Sequence, residues 1–275
     1  LYPLHLFFLI MFALTECLKY FISIKYGFMG DDKPFVINNT QNFLLNLFFL
    51  QHFADAINFN GPAWSISIEM MLYITFAFLI LYFKKYIILI SAIYLIFFIS
   101  FFTDVYGQHY AMNGYYSGLY SFFIGCLFCY LFIKKKIFIN SLFYELFYLI
   151  IVVIFISEIF YFKLLDSDKH LYSIFFGVTF LLSCYLNKNS IIYKLLFNSF
   201  FIFLGKISYS IYLSHFLVFI TLSRFLRFVL KYPYVEGSLK LTYLEANLYT
   251  LLAYIITVIF SYFSYKYIEM KFYRK

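Results

Sequence analysis

Charged side chains are scarce in this chain: Asp, Glu, Lys and Arg make up only 12% of its 275 residues, whereas a soluble domain carries about a quarter. Hydrophobic residues account for 64% of the sequence, and the mean hydropathy is +0.86. This balance excludes an ordinary soluble domain and indicates a polytopic membrane protein. The net charge of +8 does not indicate nucleic-acid binding, because the cations stand in short runs between apolar segments, as loop-anchoring charges do.

Cysteine is also rare, and the motifs of several function classes are missing. All four Cys residues lie in apolar stretches, where free Cys packs as a small hydrophobe; they are Cys17, Cys126, Cys129 and Cys184. The sequence has no glycine-rich phosphate loop, no metal-ligand spacing, no nucleophile elbow and no Arg-rich voltage sensor. We therefore expect no metal and no bound cofactor, and we look for function in polar groups within apolar segments.

Eight apolar segments approach the length of about 20 residues that a spanning helix needs: residues 1–24, 64–83, 86–102, 115–133, 141–162, 170–186, 207–230 and 246–265. Residues 42–59 are apolar but studded with polar side chains, and such a stretch is more often re-entrant or interfacial than spanning. The predicted fold is all-α: a polytopic integral membrane helical bundle with eight spanning helices and one re-entrant or interfacial segment. We expect one transmembrane domain over residues 1–275.

The distribution of lysine and arginine predicts an orientation. If residues 42–59 do not cross the membrane, the larger set of cations falls in tight loops on one side, which the positive-inside rule assigns to the cytoplasm. The C-terminus then lies in the cytoplasm, and the turn at residues 60–64 lies outside. We therefore expect a multi-pass protein of the cytoplasmic (inner) membrane, with membrane lipid around it.

The segment most informative about function begins with Asn-Gly-Pro, a sequence typical of a turn. Shortly after it stands Trp64, the only tryptophan of the chain. An apolar run follows, so Glu69 lies about one and a half turns inside a spanning helix. An ionisable group in a membrane is a functional-site hypothesis by default. Ser65, Glu69 and Tyr73 lie at i, i+4 and i+8 and share one helix face. Two interpretations of Glu69 remain open: a catalytic group, or a buried carboxylate that pins two helices.

A second group of polar residues stands on a later segment, where Gly205 precedes the predicted helix. Ser208, Tyr212 and His215 lie at i, i+4 and i+7 on one helix face. They either hydrogen-bond to a neighbouring helix or contact substrate directly.

Two further groups are weaker candidates. Arg224 and Arg227 stand about one turn apart near the outer end of the same helix, where they either bind an anion or snorkel to the interface. The polar side chains of residues 42–59 suit a sugar or another polyhydroxyl acceptor, but a surface-lying helix with a wet face explains them equally well. From this set we select Asp55 and Asn58 as candidate site residues.

Three ordered motifs resemble those of the membrane acyltransferase 3 family. Residues 64–73 (WSISIEMMLY) are similar to its Trp-Ser-Leu-Ser-Val-Glu-Glu-x-Phe-Tyr box, with Met70 and Leu72 in place of the second Glu and the Phe. Residues 205–215 match its Gly-x-Ile-Ser-Tyr-x-x-Tyr-Leu-x-His pattern throughout. Residues 265–272 resemble its closing Tyr-x-x-Ile-Glu-x-x-Phe motif. The resemblance therefore runs along the whole chain.

The resemblance implies a membrane O-acyltransferase, in most of the family an O-acetyltransferase acting on surface polysaccharide such as the O-antigen of lipopolysaccharide. Acyl-CoA, expected to be acetyl-CoA, would be the co-substrate, and a glycan or another hydroxyl compound the acceptor. Glu69 would orient or charge-balance the family's catalytic His. Trp64 and Ser65 would shape the outer mouth, and Ser208, Tyr212 and His215 would line the donor path or pack around it.

The family carries two helices before the part that this chain resembles, and the first of them holds the catalytic His. An Arg-x-x-Pro motif follows them, and Leu1-Tyr2-Pro3 resembles its tail. We therefore expect that the first two helices are missing here, that the intact protein has about ten spans, and that the chain alone is inactive.

Two other function classes stay open: a polysaccharide polymerase or flippase, which would favour long outer loops or paired repeats, and a non-catalytic membrane partner.

Overall fold

The protein is mainly helical in the part that its computed structural model describes, which comprises residues 1–27, 33–54, 59–102, 110–134, 141–157, 171–235 and 238–273. The helices in these ranges are α1 (Tyr2–Tyr26), α2 (Thr40–Leu47), α3 (Trp64–Phe83), α4 (Ile87–Phe102), α5 (Tyr110–Lys134), α6 (Ser141–Ser157), α7 (Leu171–Ser183), α8 (Ile191–Leu196), α9 (Ser199–Phe228), α10 (Tyr243–Ser264) and α11 (Met270–Tyr273). The strands β1 (Tyr234–Val235) and β2 (Ser238–Leu239) form a short antiparallel pair before α10. The predicted all-α fold is confirmed.

Five helical stretches in the described ranges are long and apolar enough to cross a membrane: Tyr2–Lys25, Gly61–Phe97, Gly114–Ile133, Ser199–Phe228 and Tyr243–Phe272. They overlap six of the eight predicted spans, because the stretch Gly61–Phe97 joins α3 to α4 through a 3₁₀ turn, Lys84–Tyr86. The other two predicted spans hold the shorter apolar helices Phe143–Ile154 and Ile174–Ser183. The polytopic membrane character that composition predicts is therefore confirmed.

Residues 42–59 do not hold a spanning helix in their described part. The helix there, α2, has eight residues and is about 12 Å long, whereas the hydrocarbon core is about 30 Å thick. Its start is set by Asn39, whose side chain accepts a hydrogen bond from the Asn42 N–H at 2.9 Å. His5 of α1 holds its other end through a 2.9 Å contact between Nε2 and the Asn46 carbonyl oxygen.

The expectation that Gly205 breaks the chain before a helix is wrong. The helix α9 begins six residues earlier, at Ser199, and the Asn198 side chain caps it by accepting the Phe201 N–H at 2.9 Å. The apolar residues before Gly205 extend the helical pattern backwards. A glycine inside a helix costs only about 1 kcal/mol relative to alanine, which a helix of 30 residues tolerates.

The chain divides into two compact units, and the first comprises Leu1–Ser67 and Ile202–Lys275. Its interior contains small hydroxyl residues as well as apolar ones. The Ser214 and Ser261 hydroxyls lie 2.8 Å apart and join α9 to α10. Glu16, which is 2% exposed, pairs with Lys19 at 2.6 Å and accepts the Asn38 amide at 2.8 Å, so it anchors the segment before α2 to α1.

The second unit, Ile68–Phe201, has apolar cores in which helices approach closely at glycines. One cluster joins α3 to α5 through the buried residues Ile68, Leu72, Leu119 and Phe123. A Cβ atom added at Gly118 would lie 2.8 Å from the Ile68 Cγ2 atom, and one added at Gly177 would lie 2.4 Å from the Phe128 ring. Small residues at such crossings are typical of helix packing in membranes.

Two glycines on α5 give a matched test of this packing. We expect Gly118→Ala to destabilise the protein by about 1 kcal/mol net, because overpacking outweighs the gain in helix propensity. Gly125→Ala is expected to stabilise it by up to about 1 kcal/mol, because nothing lies within 4 Å of its added Cβ. Thermal unfolding in detergent measures both. Equal effects of the two substitutions would contradict close packing at Gly118.

Candidate active site

The site is built around residues 60–64, which we call the Trp64 turn. The 3₁₀ helix Gly61–Ala63 leads directly into α3, and the Ala63 N–H donates to the Asn60 carbonyl at 2.8 Å. Pro62 suits this entry because its fixed φ favours a helical start and it needs no N–H partner. At Gly61 an added Cβ would lie 3.1 Å from the Phe216 ring, so this glycine lets the turn approach α9 closely.

Hydrogen bonds fasten the Trp64 turn to α9. The Asn60 Nδ2 donates to the Leu213 carbonyl at 2.8 Å, and both groups are buried. The Tyr212 hydroxyl donates to the Pro62 carbonyl, and it lies 2.6 Å from the Ser65 Oγ. Because a phenol has one proton, the Ser65 hydroxyl is the donor to the Tyr212 oxygen. The structure thus brings together Ser65 and Tyr212, which sequence analysis had placed in separate motifs.

The loop after α2 holds the other side of the same turn. The buried Gln51 Nε2 donates to the Ala63 carbonyl at 3.1 Å, and the Ser67 Oγ donates to the Phe49 carbonyl at 2.5 Å. The His52 ring lies 5.9 Å from the Trp64 ring, tilted by 36°. Trp64 keeps 46% of its surface exposed, so one part of its ring stays available for contact.

Phe49 gives this loop an unusual backbone conformation. Its φ is +58°, a left-handed value that a bulky side chain adopts only at a cost of about 1–3 kcal/mol. Its buried ring packs on the His5 ring at 4.6 Å and on the Tyr2 ring at 5.8 Å. Packing of α1 against Phe49 therefore fixes the loop that carries Gln51 and His52.

Glu69 and Tyr73 belong to the second unit and are described within it. The Tyr73 hydroxyl donates to the Glu69 carboxylate, one turn away on α3. Glu69 is half-buried and Tyr73 is 45% exposed. Within this unit, Tyr73 is the hydrogen-bond partner that the described residues provide for Glu69. The predicted i, i+4 pairing of these two residues on one helix face is thus present, while its catalytic meaning stays a prediction.

Ser208 and His215 flank Tyr212 on α9 but make different contacts. Ser208 is exposed, and its hydroxyl donates to the Gly205 carbonyl of its own helix at 2.9 Å. The half-buried His215 has its Nδ1 atom 3.3 Å from the Ile211 carbonyl oxygen, also on α9. Of the three residues predicted on this face, Tyr212 is the one that bonds to another element within the described part of the chain. Their proposed role along a donor path stays a prediction.

The remaining predicted residues lie elsewhere. The Arg227 guanidinium stands 3.7 Å above the Tyr234 ring of β1, a cation–π contact that holds the hairpin to the end of α9. Arg224 is half-buried nearby on α9. Asp55 and Asn58 lie outside the described residues.

Sequence analysis did not select Ser210 and Glu269. The fully buried Ser210 hydroxyl donates to the Glu269 carboxylate at 3.2 Å, and Glu269 ends a π-helical segment, Tyr265–Glu269. A cavity of about 210 Å³ adjoins this pair, lined by Leu1, Pro3, Leu4, Tyr209, Glu269 and Phe272. The closing motif already contained Glu269, but only the fold pairs it with Ser210.

In the described part of the chain no three His, Cys, Asp or Glu residues cluster to hold a metal ion.

Comparison with known families gives the site a chemical context. The family profile described as an acyltransferase domain, that of the acyltransferase 3 family, matches residues 1–266. The chain belongs to this family. It is therefore a membrane acyltransferase, and the resemblance drawn from the three motifs is confirmed at the level of the family. No curated protein and no solved structure matches the chain significantly.

Proposed function

We propose that this acyltransferase moves an acetyl group from acetyl-CoA, approached from the cytoplasm, to a hydroxyl of an outward-facing glycan such as O-antigen. The family match over residues 1–266 carries this proposal, because it assigns acyl transfer to a multi-pass membrane chain. The exposed Trp64 ring beside polar side chains supports a sugar acceptor. The same match favours acyl transfer over a polymerase or flippase.

The basic loops support a cytoplasmic donor side at the inner membrane. Exposed lysines stand in the turn between α3 and α4, after α7, and near the end of α10; they are Lys84, Lys85, Lys188, Lys266 and Lys271. By the positive-inside rule these loops and the C-terminus face the cytoplasm, where lysines can meet the phosphates of coenzyme A.

The reaction needs a base for the acceptor hydroxyl. The hydroxyl oxygen attacks the thioester carbonyl carbon while the base takes its proton; the C–S bond then breaks, and coenzyme A leaves as the thiol after protonation. In this proposal Glu69 orients or charge-balances the His that the family carries as base. Ser65 and Tyr212 act as positioning residues, because their single protons are already donated to Tyr212 and Pro62.

Transfer of label tests the proposal directly. We expect the full-length protein in membrane vesicles to move radiolabel from acetyl-CoA into base-labile esters on surface glycan. Long-chain acyl-CoA should not replace the donor at equal concentration. Label that enters lipid alone, or no transfer from acetyl-CoA by a folded protein, would overturn the proposed substrates.

A further inference from the structure

Three polar atoms around the Trp64 turn are buried and have no hydrogen-bond partner within the described ranges: the Gln51 Oε1, the His52 Nε2 and the Asn60 Oδ1. Gln51 is fully buried and Asn60 is 3% exposed. The amide nitrogens of both residues already donate to backbone carbonyls, Ala63 and Leu213. At each amide the carbonyl oxygen, which can only accept, is left without a partner.

The residues that carry these atoms all lie at the Trp64 turn in the first unit. Gln51 and His52 are adjacent in the chain, and they contact the turn at Ala63 and Trp64. Asn60 is the first residue of that turn and is fastened to Leu213 of α9. Buried acceptors without donors are rare in folded proteins and call for a group that supplies the missing hydrogens. Two carbonyl oxygens and an imidazole nitrogen together fit a ligand rich in hydroxyl donors.

We propose that Gln51, His52 and Asn60 form a hydroxyl-binding subsite for the acceptor, with the exposed face of Trp64 as the platform on which a sugar ring lies. The inference rests on the proposed function; it narrows the polar segment 42–59 to Gln51 and His52 and adds Asn60. The set does not suit the phosphates of coenzyme A, because these groups only accept hydrogen bonds. Asn42 serves as a contrast within the same segment, since its amide donates to the Ile37 carbonyl at 2.7 Å and stabilises the loop.

His52→Phe separates binding from structure, because it keeps an aromatic ring beside Trp64 while it removes the polar nitrogens. The assay uses the full-length enzyme, labelled acetyl-CoA and surface glycan from the source cells stripped of its esters with mild base. We expect the KM for glycan to rise about three- to tenfold, the effect of one lost hydrogen bond, while the KM for acetyl-CoA stays unchanged. His52→Gln, which restores a polar side chain, should recover part of the affinity. Asn189→Ala, on an exposed turn of the second unit, is the control.

Trp64 supplies a second readout that does not need catalysis. It is the only Trp of this sequence, so its emission reports on the subsite, and Trp64→Phe provides the background to subtract. We expect the stripped glycan to shift the emission of the wild type at lower concentration than that of His52→Phe.

The outcomes separate this inference from the function on which it rests. The subsite would be overturned if His52→Phe leaves the KM for glycan unchanged and glycan does not alter the Trp64 emission. Ordered water would then be the partner of these buried atoms. Emission that responds to glycan, more weakly in His52→Phe, supports the subsite even where the wild type transfers no acetyl group. In that case the proposed reaction fails and glycan recognition stands.

Discussion

Glu69→Gln is expected to lower the rate of acyl transfer by about 10²–10⁴-fold, with little change in the KM for acetyl-CoA. Gln keeps the shape of the side chain and can still accept a hydrogen bond from the Tyr73 hydroxyl, so α3 retains its local contact. What it loses is the negative charge. A neutral amide cannot balance an imidazolium that forms as the acceptor hydroxyl gives up its proton.

The measurement is a single-turnover assay of labelled acetyl transfer, paired with thermal unfolding of each variant. Glu145→Gln is the matched control, because Glu145 is also half-buried on an apolar helix, α6, within the same unit. We expect it to leave the rate within about twofold of the wild type, as substitutions away from functional features usually do. Tyr73→Phe should have a smaller effect than Glu69→Gln, since it removes a hydrogen bond and keeps the charge.

A rate that survives in Glu69→Gln, combined with a lowered melting temperature, would contradict the catalytic role and assign the carboxylate to helix packing. In the described part of its unit, Glu69 accepts the hydrogen bond from Tyr73 on its own helix.

The spanning segments were predictable because hydrophobicity acts locally. Eight runs of apolar residues each contain a helix in the structure, and the described part of the polar-studded segment 42–59 holds only the short helix α2. The predicted helix start after Gly205 was wrong for a physical reason, because glycine weakens a helix without ending it. The Asn198 cap and the apolar residues before Gly205 outweigh the free-energy cost of that glycine.

The candidate site was predictable only in part. Sequence analysis chose Ser65 and Tyr212 for their places on separate helix faces, but their 2.6 Å contact joins residues 147 positions apart in the chain. Helix periodicity also grouped Ser208 with Tyr212, although the former is exposed and bonds to its own helix. The roles of Gln51 and Asn60 depend on which backbone carbonyl lies opposite each amide, and only the fold determines that.

Tyr212→Phe is expected to destabilise the protein by about 1–3 kcal/mol and to lower kcat/KM by about tenfold or more. The substitution removes one hydroxyl that serves two partners: it leaves the Pro62 carbonyl without its donor and the Ser65 hydroxyl without its acceptor. Because these bonds fasten the Trp64 turn to α9, their loss lets the turn shift, and misplaced groups cost rate even where chemistry is untouched.

Two comparisons make this result specific. Tyr254→Phe on α10 removes the same atom from a side chain that is 59% exposed, and it should change neither stability nor rate measurably. Ser65→Ala leaves the Tyr212–Pro62 bond in place, so its effect on the melting temperature should be smaller than that of Tyr212→Phe. Equal effects of Tyr212→Phe and Tyr254→Phe would show that the hydroxyl does not hold the turn. The rank order Tyr212, then Ser65, then Tyr254 follows from how many bonds each change breaks at the point where α3 begins.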